Sequence, residues 1–127
     1  MSLWDQLDMT VKIEEILRVR SHSPRHHFGR PFLSPYQIAI AFRARFPEDF
    51  QIIAKPVGGK GTGQQDSLAQ YIALELSRRI KKRDLPNIEG RFLHRAALHG
   101  LMYQDGNRII KSSSMTSYDL SIFRLRD

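Results

Sequence analysis

Five basic side chains fall within six consecutive positions, Arg78, Arg79, Lys81, Lys82 and Arg83. Ammonium and guanidinium groups this close together suit a row of phosphates. Basic residues at a helix end also neutralise the C-terminal dipole, so the cluster has a structural reading too. A second basic group follows, Arg91, His94 and Arg95. On a helix, spacings of three and four put these side chains on one face. An arginine presented that way can hold a guanine edge in the major groove through two parallel hydrogen bonds. Farther on, Ser113, Ser114 and Thr116 offer hydroxyl donors to phosphate oxygens.

Other groupings suit less specific chemistry. Residues 58–63 hold four glycines and Lys60, and exposed backbone N–H groups ahead of a helix can bind phosphate. No Gly-Lys-Ser or Gly-Lys-Thr follows at P-loop spacing, and glycines two apart do not make the dinucleotide pattern, so a flexible loop near a nucleic-acid backbone is expected. The five histidines include the adjacent His26 and His27 and the pair His94 and His99. Neither pair has metal-ligand spacing on one face, so no metal and no cofactor is expected. His94, His99, Glu75 and Glu89 are the residues a small nuclease or RNase-type toxin would draw on, but nothing in their spacing makes them converge. Tyr71, Phe92, Tyr103 and Phe123 could stack on bases, although their apolar neighbours suit core packing better.

The chain has 127 residues, a net charge of +7 and no cysteine. That length is one domain by default. The absence of cysteine excludes disulfides, cysteine-containing zinc sites and a cysteine nucleophile, and fits a reducing, cytoplasmic setting. No apolar run approaches a membrane span, and Asp5 and Asp8 interrupt the order a signal peptide needs. The charge is uneven: residues 67–100 carry seven basic and three acidic side chains, whereas residues 1–30, 31–66 and 101–127 each carry a net +1. A concentrated excess is the electrostatic footprint of a nucleic-acid partner, with a nucleoid-associated location if that partner is DNA.

These groups need elements to position them. Ile13, Ile16 and Leu17 predict a helix over 10–20, followed by an irregular basic loop over 21–35. Residues 1–33 form this helix and loop, and the helix's apolar face suits a dimerisation arm. Ser34, Pro35 and Gln37 make a capping box with proline at the first helical position, and Ile38, Phe42 and Phe46 mark the buried face of a helix that Pro47 ends. Residues 50–54 suit a strand. Ser67 and Gln70 open another helix, with Leu68, Ile72, Leu76 and Ile80 inward, closing in the basic cluster. Asn87 is expected to cap a further helix over 87–98, with Phe92, Leu93 and Ala96 inward and Gly100 behind it. Strands over 101–104 and 108–111 flank an Asp105-Gly106-Asn107 turn. A polar loop over 112–117 leads to a last strand over 118–125.

From residue 34 the order is helix, strand, helix, helix, then a hairpin with a loop at its tip. Over residues 34–125 that order resembles a winged helix-turn-helix domain. The Gly-rich connection before Ser67 is longer than the family's usual link, and the turn at Asp105 adds a strand. The resemblance implies an α+β fold: a winged-helix-like three-helix core with a small antiparallel β-sheet over 34–127, preceded by an N-terminal helix. It implies a recognition helix over 87–98, base readout by Arg91 and Arg95, and a wing over 112–117. The expected function is nucleic-acid binding, double-stranded DNA before RNA, by a small regulator or a component of a DNA-transaction complex, alone, as a homodimer or in a larger assembly. A protein-interaction adaptor of the same fold and a small nuclease are the alternatives.

Overall fold

The computed structural model describes residues 1–23, 25–59, 66–112 and 118–127. Among them the order is α1 (Leu3–Gln6), α2 (Met9–Ile16), α3 (Pro35–Arg45), α4 (Pro47–Ile53), α5 (Leu68–Lys81), β1 (Ile88–Leu93), β2 (Met102–Asp105), β3 (Arg108–Lys111) and β4 (Leu120–Leu125). The α+β class stands.

The helices begin where side chains satisfy free backbone N–H groups. Ser2 Oγ accepts from the Asp5 N–H at 3.2 Å and opens α1. At α3 both halves of the capping box are present: Ser34 Oγ accepts from the Gln37 N–H at 3.3 Å, and Gln37 Oε1 accepts from the Ser34 N–H at 2.7 Å. Such a cap contributes about 1 kcal/mol. Ser67 Oγ accepts from the Gln70 N–H at 3.1 Å and starts α5. The expected first helix is shorter than 10–20, because α2 stops at Ile16 and leaves Arg18 and Arg20 beyond it.

Two expected elements take the other secondary structure. Residues 50–54 are not a strand; they lie in and just after α4. Pro47 does not only end α3. Its fixed φ suits the first position of a new helix, where Glu48 and Asp49 complement the dipole. The second correction bears on function. Residues 87–98 do not form a recognition helix, since Ile88–Leu93 is strand β1. It pairs antiparallel with β4 in a continuous register from Ile88↔Leu125 to Leu93↔Leu120. Gly90 is costly inside a helix, by about 1 kcal/mol. In the strand it faces α5, where a Cβ would sit 3.4 Å from both Ile80 Cδ1 and the Phe123 ring. Phe92, Leu93 and Ala96 therefore do not face inward, and Phe92 is 73% exposed.

The hairpin forms as expected, with Gly106 at φ 62° between β2 and β3. Leu33, just ahead of α3, exchanges two backbone hydrogen bonds with Phe123 of β4, at 2.8 and 2.9 Å, and ties the helical layer to the β1/β4 ribbon. One core joins these parts: Trp4, Met9, Ile13 and Leu17 from the N-terminal segment pack with Phe42, Leu76, Ile88 and Phe123. The apolar face that suited a dimerisation arm is thus used within the domain. No helix of the described residues is long and apolar enough to cross a membrane.

Candidate nucleic-acid interface

The basic cluster at the end of α5 divides into two groups. Arg79 faces inward, with a side chain only 14% exposed. Its guanidinium lies 5.2 Å over the Trp4 ring and within 3.6 Å of both Asp5 and Glu75. Arg78 lays its fork on Glu75 in contacts of 2.7–3.1 Å. Lys81, Lys82 and Arg83 are exposed and form no ion pair among the described residues. Their position follows from how the helix stops. The Asp84 N–H donates to Arg79 O at 2.9 Å and the Arg83 N–H to Ile80 O at 3.0 Å. This closure puts Arg83 in the left-handed region, at φ 63°. Lys81, Lys82 and Arg83 lie exposed in sequence at this helix end.

Arg91, His94 and Arg95 do not share a helix face. Arg91 projects from β1, on the opposite face from Phe92, with its Nη2 2.7 Å from Glu89 Oε2. Arg124 Nε donates to the other oxygen of Glu89, also at 2.7 Å. That hydrogen bond, with the charges of Arg124 and Arg91 adding to it, holds the Glu89 carboxyl below its ordinary pKa despite burial. His94 and Arg95 follow the strand and converge on Asp119. Its Oδ1 accepts from the Arg95 N–H at 2.8 Å and lies 3.2 Å from Arg95 Nη1 and 3.3 Å from His94 Nδ1. The backbone bond from Arg95 is the main reason the Asp119 carboxyl is lowered. Arg91, Arg95 and Arg124 are thus each partly neutralised by a carboxylate: Glu89 lies two residues from Arg91 on one strand face, whereas Arg124 and Arg95 find theirs across long stretches of chain.

Ser113, Ser114 and Thr116 lie outside the described residues, as do Lys60 and the rest of 60–65. The residue before the polar loop, Ser112, is buried; its N–H donates to Leu101 O at 2.8 Å and its Oγ accepts from the Leu101 N–H at 2.9 Å. The N-terminus of α5 offers no anion site. The Leu68 N–H donates to Pro56 O, the Ala69 N–H to Val57 O and the Gln70 N–H to Ser67 Oγ. His26 and His27 stack with ring centroids 4.5 Å apart, and no metal-binding group of three His, Asp or Glu occurs among the described residues. Of the residues a nuclease would draw on, Glu75 is held by Arg78 and Arg79, Glu89 by Arg91 and Arg124, and His94 by Asp119.

Sequence reasoning missed a groove. The outward face of α5, carrying Gln70, Leu74 and Ser77, together with Phe92 of β1 and Tyr118 and Asp119 just ahead of β4, lines a cleft of about 250 Å³. Phe92, Leu74 and Tyr118, which line it, are 73%, 60% and 58% exposed. The signal available in the sequence was Leu74, an apolar residue off the buried row of α5. No known protein family, curated protein or solved structure matches this chain.

Proposed function

We propose that the protein is a nucleic-acid-binding module, with double-stranded DNA as the favoured partner, in a winged-helix-like arrangement. The observation that carries the proposal is the run Lys81, Lys82 and Arg83, exposed and without ion-pair partners among the described residues. Cations left unpaired on a chain of net charge +7 favour polyanions. The winged-helix resemblance now rests on α3, α4 and α5 followed by the antiparallel pair β1 and β4. In that arrangement α5 takes the recognition role first given to 87–98, and the long β1–β4 connection takes the place of the wing. Lys81, Lys82 and Arg83 hold phosphates; Arg78, Arg91 and Arg95 exchange their carboxylate partners for phosphate or base edges on binding.

Fluorescence anisotropy against a labelled duplex, a single strand and an RNA hairpin, at low and near-physiological salt, tests this. Duplex binding that weakens steeply with salt is expected. Absence of binding to all three at low salt contradicts it. The exposed apolar residues Phe92, Leu74 and Tyr118 favour a second reading, a protein-interaction adaptor, which that negative result would bring forward.

A further inference from the structure

We infer that the groove between α5 and the β1/β4 ribbon takes an unstacked nucleobase, so that the preferred ligand is a duplex with a single-stranded overhang or gap beside it. This rests on the nucleic-acid reading above and narrows its substrate class. Two exposed aromatic residues, Phe92 and Tyr118, line the groove. Exposed aromatics beside unpaired cations are the two parts of a single-strand binding surface: rings on which bases stack, and charges that follow the backbone. The volume of about 250 Å³ lies below the range of pockets for drug-sized ligands and suits one planar ring system.

The charges favour a base inside and a backbone outside. Lys81 stands one turn beyond Ser77 on the groove-lining face of α5, and Arg78 one turn beyond Leu74. A phosphate backbone running along this row meets cations. Among the described residues that line the groove, the charged group is Asp119, paired with Arg95 and His94. A carboxylate there disfavours phosphate and accepts hydrogen bonds from the N–H edges that bases carry. Gln70 and Ser77 supply further polar atoms on the opposite wall. Charge thus favours a nucleic-acid strand over an acidic peptide as the occupant. A peptide's carboxylates would meet Asp119, whereas a strand keeps its anionic and aromatic parts separate.

The test compares a blunt duplex with the same duplex carrying a short overhang that contains 2-aminopurine. The wild-type protein is expected to bind the overhang form roughly tenfold more tightly, with a change in 2-aminopurine emission on stacking. Phe92→Leu and Tyr118→Ala should each lose most of that preference and keep blunt-duplex affinity and its salt dependence, whereas Phe92→Tyr should retain it. Both positions are exposed, so circular dichroism should show these variants folded. Equal affinity of the wild type for the two duplexes, or an unchanged preference in Phe92→Leu and Tyr118→Ala, overturns the inference while leaving duplex binding intact. Binding to neither duplex overturns the nucleic-acid reading together with it. Capture of an acidic amphipathic peptide that Phe92→Leu abolishes, without any overhang preference, overturns it in favour of a protein partner.

Discussion

The guanidinium of Arg79 lies 5.2 Å over the indole of Trp4 and joins α1 to α5. One of the five clustered cations is therefore a packing residue, and its neighbours need not share that role. Arg79→Ala removes a cation–π contact and the contacts to Asp5 and Glu75, and is expected to cost about 1–2 kcal/mol. Lys82→Ala, at an exposed site, should stay within about 0.5 kcal/mol of wild type. Urea unfolding followed by Trp4 fluorescence separates the two. An Arg79→Ala variant as stable as wild type would contradict the packing role.

Arg83 adopts φ 63° at the position after the end of α5 where glycine is commonest. A left-handed conformation costs a side-chain-bearing residue about 1 kcal/mol. Arg83→Gly should therefore raise the urea midpoint by a corresponding amount and at the same time weaken duplex binding. Strain at a position that also carries an unpaired charge fits a functional reason for arginine there. A stabilised variant with unchanged binding would remove Arg83 from the interface.

Backbone geometry requires glycine at position 59. Its φ is +112°, and a Cβ there would lie 2.7 Å from both Ile110 Cγ2 and Lys111 O. Gly59→Ala should cost about 2 kcal/mol or more, from backbone strain and displacement of β3 together. Thermal unfolding checks this, and a neutral outcome would show that β3 yields easily.

Glu89 is 7% exposed and bound by Arg124 and Arg91. Its folded pKa is lowered from the ordinary 4.5. A carboxyl depressed in the folded state contributes stability that is complete above its unfolded pKa and is lost as pH falls through the folded one. Urea midpoints measured from neutral pH down past 4.5 should fall across that window. Glu89→Gln should be less stable than wild type at neutral pH, because two arginines lose their counter-charge, and should show a shallower acid decline. Asp119, whose carboxyl is also lowered, remains in that variant and contributes to its residual slope.

Local chemistry was legible in the sequence and long-range pairing was not. Ser34 with Gln37, Ser67, and Asp105 with Gly106 announce their elements because the groups that form each cap or turn lie within a few residues. The buried row Leu68, Ile72 and Leu76 follows from helical period alone. The segment 87–98 misled because Asn87, Gly100 and the spacing of Arg91, His94 and Arg95 suit a helix locally. Its strand depends on β4, whose paired residues lie 27–37 positions away. Pro47 misled because the same fixed φ can follow one helix or start another. For the candidate site, the α5 cluster was visible as charge. Which of its members are free was not, because the partners of Arg79 include Asp5 and Trp4 from the far end of the chain. Likewise Asp119, which takes up Arg95, stands 24 residues away from it.

The most direct test of the central claim is the salt dependence of duplex binding by wild type and by a Lys81→Ala/Lys82→Ala/Arg83→Ala variant. Each phosphate neutralised contributes about 0.9 to the slope of log affinity against log salt. If these three cations hold phosphates, the variant should bind more weakly at every salt concentration, with a slope shallower by about 2–3. Equal slopes and equal affinities for wild type and variant would contradict the assignment of this helix end as the nucleic-acid interface.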